Sequence, residues 1–252
     1  MEVNDLLAPL FEAAQYSASL IASHHSVEVR GVAYEIPKFL LLGQRGGGKP
    51  IRIAVFAGFE SSDTDIIQSL GHVLQQLKLS PGLTRDYALL AYPVVNVRGF
   101  GADRVPLAEF EARFARDSAD ADVQFFKAQL KQWTFDGLIS LRTDGGTKGF
   151  YASVRSEIIA REVVEPALAA AAGALPLASK AVKVRPDDRY ARTADYAHGR
   201  LSPPADVRPY PFEIELFAPR AGITEKTEAG LFVAITEILR HYRGLIAHAQ
   251  NL

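Results

Sequence analysis

The sequence holds 252 residues, 48% hydrophobic and 23% charged, and has no cysteine, so a single large domain with its own core is expected while disulfide frameworks, thiolate metal sites, iron–sulfur clusters and a cysteine nucleophile are excluded. With 28 Lys and Arg against 29 Asp and Glu and a pI near 6.6, nothing pulls the chain toward nucleic acid or an anionic membrane. The opening Met1-Glu2-Val3-Asn4-Asp5 carries no basic leader region, and no apolar run reaches the ~18 residues of a membrane span, so a cytoplasmic protein is expected.

Leu6, Leu7, Leu10, Phe11, Ala14 and Tyr16 recur near helical spacing behind Asn4 and Asp5, predicting a helix from Asp5 to about Ala22. The alternation from Val27 to Ile36, continuing through Pro37 into Phe39-Leu40-Leu41-Leu42, predicts strands, the second well buried. Gly43 to Pro50 is a glycine-rich turn, Ile51 to Ala57 a strand, and Asp63 to about Leu79 a helix. Tyr87 to Tyr92 is a buried strand that ends at Pro93-Val94-Val95-Asn96-Val97-Arg98-Gly99-Phe100. Residues 101–117 are charged and irregular, predicting a surface excursion; Ser118 to Trp133 is an amphipathic helix. Asp136 to Leu141 is a strand, Arg142 to Gly149 a loop, and Arg155 to Ala172 an Ala-rich helix. Pro176 to Pro211, rich in Pro, Arg, Asp and Tyr, predicts a long ordered loop or small subdomain (about 176–211) within one domain spanning 1–252. Phe212 to Phe217 is a last strand and Glu225 to about Ala249 a last helix. Strands alternating with helices imply an α/β domain with a mixed, largely parallel central sheet flanked by helices; the adjacent early strands form an antiparallel edge.

In such sheets the functional crevice opens at the carboxyl ends of the strands. That rule selects Gly58 to Asp63, Pro93 to Phe100, Arg142 to Asp144 and the neighbourhood of Glu215. Gly43-Gln-Arg-Gly-Gly-Gly-Lys-Pro50 resembles a P-loop, yet Pro50 replaces the required Ser/Thr and a strand follows, leaving no helix N-terminus to meet a phosphate. No Gly-x-Ser-x-Gly elbow is present, so a serine nucleophile of the α/β-hydrolase kind has no support. Of the six histidines, none falls at a selected strand end; His198, in Asp195-Tyr196-Ala197-His198-Gly199-Arg200, is the one loop candidate.

Taken in order, the strand ends resemble the zinc carboxypeptidase superfamily, including its succinylglutamate desuccinylase and aspartoacylase branch. The family places His-x-x-Glu after a strand with a small-residue lead; Ala57-Gly58-Phe59 here leads into Glu60-Ser61-Ser62-Asp63. The family's Pro-x-x-Asn-Pro-x-Gly-Phe is matched by Pro93 to Phe100, its strand-terminal histidine ligand by Arg142 in Ile139-Ser140-Leu141-Arg142, and its catalytic Glu by Glu215. The resemblance therefore implies a zinc-carboxypeptidase-like fold with Glu60, Asp63 and Arg142 at the former metal-ligand positions and Glu215 at the general-base position. It also implies that Asn96, Arg98, Arg104 or Arg113 serves ligand binding, with Ala112-Arg113 the nearest counterpart of the family's Asn-Arg pair.

The departures are chemical. A catalytic zinc of this kind is held by neutral imidazoles and a carboxylate, and every imidazole is replaced. A guanidinium stays protonated and offers no lone pair. The sequence thus predicts a pseudoenzyme with no metal, in which Arg142 is the cationic centre gripping Glu60 or Asp63. Three carboxylates against one Arg would leave −2, so Arg98, Arg104 or Arg113, or a protonated Glu215, is expected to compensate; a hard cation on Glu60 and Asp63 is a third option. A small carboxylate-bearing ligand is expected, a peptide C-terminus or an N-acyl amino acid. Two alternatives stand beside it: a metallocarboxypeptidase or amidohydrolase with zinc at a non-standard site and Glu215 as general base, and a structural interaction protein. Capping alone also accounts for Ser62 and Asp63, and turn formation for Asn96.

Overall fold

The structure, a computed structural model, describes residues 3–101, 103–115, 118–185, 201, 211–219 and 225–249. Helix α1 (Val3–Gln15) precedes a hairpin of β1 (Leu20–Val29) and β2 (Val32–Leu42). The helix is shorter than the periodicity predicts because the Ser17 hydroxyl accepts the Ser19 and Leu20 amides and turns the chain into β1; Tyr16, assigned to the apolar face, is 88% exposed. Arg30 and Gly31, at φ 54° and 79°, make the two-residue turn, the backbone sign that matches the right-handed twist of the flanking strands.

Next come β3 (Ile51–Phe56), α2 (Thr64–Leu79), β4 (Tyr87–Tyr92), a single helical turn α3 (Val97–Phe100), α4 (Leu107–Ala115), α5 (Ala121–Trp133) and β5 (Gly137–Asp144). Helix α4 corrects the expected irregular excursion: Phe110 and Phe114, one turn apart, are both buried, and the intervening charges masked that two-residue apolar stripe. Strand β5 runs through Arg142 to Asp144, so these residues are paired strand rather than loop.

The remainder is β6 (Phe150–Val154), α6 (Glu157–Ile159) continued through a π turn at Ala160–Val164 into α7 (Glu165–Ala171), β7 (Leu177–Val184), β8 (Phe212–Pro219) and α8 (Glu225–Ala249). Two of these strands correct the sequence reading. The five residues of β6 are all buried between two neighbours, too short a run to be told from a loop by periodicity. Residues 177–184, expected to open a long loop, pair with β6 as β7; residues 186–200 and 202–210 of that segment, with His198, lie outside the described residues.

The sheet has eight strands in the order β1-β2-β4-β3-β5-β8-β6-β7. Its middle, β4-β3-β5-β8, is parallel, while β1-β2, β2-β4 and β8-β6 pair antiparallel. Every residue of β4 is buried, as a strand covered on both faces requires. On one face Phe56 and Tyr92 stack at 5.5 Å beneath Phe125 and Phe126 of α5; on the other Tyr87 donates to the Leu239 carbonyl of α8. Each such fully buried large side chain contributes about 1.5–3 kcal/mol of burial. From β3 the chain moves to β4 on one side and later to β5 on the other, which makes the carboxyl ends of β3 and β5 the switch point where an open α/β sheet leaves a crevice. Among the described residues no helix is long and apolar enough to cross a membrane.

Candidate functional site

Beyond β3 the chain turns sharply at Gly58, whose φ is +64° and whose missing Cβ leaves room for the Pro93 carbonyl and Val94 backbone beyond β4. Asn96 fastens the same two loops. Fully buried, it donates to the Phe59 and Val105 carbonyls at 3.1 and 2.8 Å and accepts the Gly99 amide at 3.2 Å. All its side-chain contacts are therefore to backbone, the turn-and-cap use of Asn.

Asp63 is buried at the start of α2. One carboxylate oxygen accepts the Phe59 and Glu60 amides, both at 3.0 Å, and the other the Thr143 hydroxyl at 2.5 Å. Burial pushes its carboxyl above the usual range, against these hydrogen bonds, and the charge of Glu60 adds to the rise. Glu60 lies at the rim and accepts the Ser62 hydroxyl at 3.2 Å.

Arg142 does not grip Glu60 or Asp63. Its Nη1 donates to Glu215 at 3.2 Å and its Nη2 to Glu111 at 3.0 Å, while the Phe59 and Phe217 rings lie 5.0 and 5.7 Å from the guanidinium carbon. The alternation of β8 puts Glu215 and Phe217 on the same face as Arg142, with Arg142 opposite Phe217 in register. The second oxygen of Glu215 accepts Arg185 at 2.6 Å. Glu111 reaches in from α4; burial raises its carboxyl above the usual range, Arg142 opposes this, and repulsion from Glu215 and Glu60 adds to it. Farther along the same face Tyr151 stacks on Phe217 at 4.6 Å and donates to Asp144 at 2.8 Å, its hydroxyl pushed up to about 12 by burial and then by that carboxylate.

Sequence reasoning thus brings Asp63, Glu60, Arg142 and Glu215 to one crevice but misses Glu111 and Arg185. Glu111 lies on α4, in the stretch whose charges read as an irregular excursion, and Arg185 follows β7, a strand the composition hides. Among the described residues the second cation on Glu215 is Arg185, not Arg98, Arg104 or Arg113. Arg98, with its side chain only 3% exposed, holds Asp103 at 3.0 Å and Asp120 at 3.4 Å. Arg113 holds Asp120 at 2.8 Å and Asp122 at 3.4 Å. Arg104 is exposed with a left-handed backbone.

This second cluster is structural: it joins the α3 turn and α4 to the start of α5. The Arg113 hydrogen bond is the main cause that holds the Asp120 carboxyl below its usual range. A lowered folded value contributes stability that is present above the unfolded value and is lost as pH falls through the folded one. Asp120→Asn is accordingly expected to cost about 1–2 kcal/mol near neutrality, with the gap to wild type closing once pH falls below about 4 in denaturant titrations. A gap independent of pH would contradict the ion-pair account.

The backbone resembles solved peptidase structures over nearly its whole length. A metallo-carboxypeptidase from Burkholderia cenocepacia matches with TM-score 0.66 and 13% identity over 94% of this chain and 68% of that one. Bovine thrombin-activatable fibrinolysis inhibitor, solved with tick carboxypeptidase inhibitor, matches with TM-score 0.66 and 13% identity over 96% of each chain. A candidate metallopeptidase of Shewanella baltica OS155 matches with TM-score 0.62 and 16% identity over 93% and 89%. The chain has the metallocarboxypeptidase fold. No family model matches it, and no curated protein matches it in sequence.

The metallocarboxypeptidase fold implies a zinc ion at this crevice, and the side chains here do not fit one. Zinc requires lone pairs from imidazole or carboxylate donors. Arg142 has none to give, both oxygens of Asp63 are taken by amides and a hydroxyl, and Glu215 lies between two guanidiniums. The described histidines sit on β1, α2 and α8, away from the strand ends. Among the described residues no group of three or more His, Cys, Asp or Glu is placed to hold a metal.

Proposed function

We propose that this protein is a non-catalytic binding module built on the metallocarboxypeptidase fold, in which an arginine–carboxylate cluster stands in place of the zinc site and the crevice takes a small carboxylate-bearing ligand such as a peptide C-terminus or an N-acyl amino acid. The observation that carries this reading is Arg142 at the end of β5, held by Glu111 at 3.0 Å and Glu215 at 3.2 Å. A guanidinium in that position repels a divalent cation, and with Arg185 it occupies both oxygens of Glu215. Arg142 and Arg185, which share Glu215, are the donors that a carboxylate would meet.

Elemental analysis of the purified protein is expected to find zinc far below one equivalent, and C-terminal and N-acyl amino acid substrates are expected to stay intact. Near-stoichiometric zinc accompanied by hydrolysis overturns the proposal. The ligand half is read by thermal shift, since a ligand of the native state raises the midpoint by mass action. A shift with small carboxylates that is absent in Arg142→Met supports it; the lack of any shift favours a structural partner instead.

A further inference from the structure

We propose that the open edge of β1 is a self-association surface, on which a second copy of this chain adds its own β1 antiparallel about a two-fold axis at His24 and joins the two sheets into one. β1 stands at one end of the strand order and pairs with β2 alone, in unbroken register from Leu20 to Val29. The Leu42 amide donates to the Ser19 carbonyl, and the residues of an antiparallel strand alternate between facing their partner and facing away. Ile21, Ser23, His25 and Val27 therefore direct their main-chain groups to β2, and those of Ala22, His24, Ser26 and Glu28 point to the open edge. The Leu20 amide, on the same outward side, donates to the Ser17 hydroxyl, which marks where the edge begins. Among the described residues no other strand pairs there.

Sheet edges are ordinarily guarded by Lys, Pro or a bulge. The opposite edge, β7, has Lys180 and Lys183 exposed and a register shift against β6. β1 has neither device: from Leu20 to Val27 there is no Lys, Arg, Asp, Glu or Pro, and the pairing is regular. Its two imidazoles lie back on helices rather than over the edge, His24 stacked on Phe11 of α1 at 4.5 Å and His25 on Phe125 of α5 at 4.2 Å. Those contacts hold the strand, so its outward row of donors and acceptors is in position before a partner arrives. An uncharged edge of this kind is complementary to itself. A two-fold axis perpendicular to the sheet pairs residues that lie on the same face, so it must pass through a residue rather than between two. At His24, the middle of the outward row, it joins Ala22, His24 and Ser26 by reciprocal main-chain hydrogen bonds to Ser26, His24 and Ala22 of the second copy. On the α5 side Ile21, 48% exposed, then comes opposite Val27, and Ser23 opposite His25; an axis at His25 would set Ser23 against Val27 instead.

The test is the molar mass of the intact protein by light scattering and sedimentation, at concentrations from about 1 to 200 μM. One strand pair buries a small interface, under about 1,200 Å² in total, so the association is concentration-dependent, with a dissociation constant of about 1–100 μM. The mass is expected to rise from the 27.5 kDa of one chain toward twice that value. His24→Lys sets two ammonium groups face to face, and Ser26→Pro removes an outward N–H while leaving the bonds to β2. Each is expected to weaken the dimer at least about tenfold with the circular dichroism of wild type retained. Because the chain has no cysteine, single cysteines read the register. His24→Cys is expected to form an inter-chain disulfide on air oxidation, since its Cα atoms lie about 5.5 Å apart in a hydrogen-bonded pair. Ser23→Cys, at roughly 7–8 Å from its own copy, and Ser179→Cys on β7 are expected to stay reduced. A wild type that is monomeric at about 200 μM overturns the proposal, as does a dimer that neither edge variant weakens. Cross-linking through Ser23→Cys or Ser179→Cys but not His24→Cys overturns the His24 axis.

Discussion

Gly58→Ala is expected to lower the unfolding midpoint by roughly 4–20 °C, the range given by about 2–5 kcal/mol in a protein of this size. The backbone there has φ +64°, and a Cβ would stand 2.6 Å from the Pro93 carbonyl oxygen and 2.8 Å from the Val94 Cα. A left-handed conformation costs an L-residue about 1–2 kcal/mol, and forcing a methyl group against packed backbone adds about 1–3 kcal/mol. Neither neighbouring atom belongs to a side chain that can swing away, so relief requires the β3 and β4 loops to part and disturbs the Asn96 hydrogen bonds that join them. Gly71→Ala, in the middle of α2 where an added Cβ meets nothing within 4 Å, is the control: it is expected to be neutral or stabilising by up to about 1 kcal/mol. Equal midpoints for the two variants in calorimetry would refute the steric account.

Arg142→Met is expected to destabilise by about 2–3 kcal/mol, somewhat below the ~3–5 kcal/mol typical of removing one partner from a buried ion pair, because Glu111 is 30% exposed and can turn outward. The variant removes the guanidinium that Glu111 and Glu215 share, leaving Glu111 exposed to the charges of Glu215 and Glu60. Their mutual repulsion, on top of burial, raises the folded value of Glu111 further above its unfolded one. A raised carboxyl value penalises the folded state at neutral pH, and the penalty disappears as pH falls through that value and the group takes up a proton. The gap between Arg142→Met and wild type is therefore expected to narrow on acidification, and adding Glu111→Gln to the variant should recover part of the loss at pH 7. Chemical denaturation at several pH values reads both effects; a gap independent of pH would show that Arg142 acts through packing against Phe59 and Phe217 alone.

Much of the fold was legible because its strands announce themselves locally. Tyr87 to Tyr92 is apolar throughout, and it is buried on both faces in the position such a run requires. The strand-end rule then led from Ala57-Gly58, Pro93 to Asn96 and Leu141-Arg142 to one crevice. What stayed hidden was set by tertiary packing. The two phenylalanines that anchor α4 stand among charged residues and become an apolar stripe only against the core. β7 carries Lys180 and Lys183 on an edge, a composition that reads as loop. Since Glu111 comes from the first of these elements and Arg185 follows the second, the sequence located Arg142 correctly at the strand end but assigned it the wrong partners. Charge counting did show that a cation was missing; it could not say which arginine supplied it.

The pairing of β5 with β8 joins Gly137 to Phe212, seventy-five positions later in the chain. Closing so long an interval is entropically slow, and topologies dominated by distant pairings fold late in those pairings. Because Glu215 comes with β8 and Arg185 with the segment just before it, the crevice acquires its balance of charge at the end of folding. Until β8 docks, Glu111 is the acidic partner of Arg142 among the described residues, and a chain not yet extended through β8 presents a different electrostatic face from the folded protein.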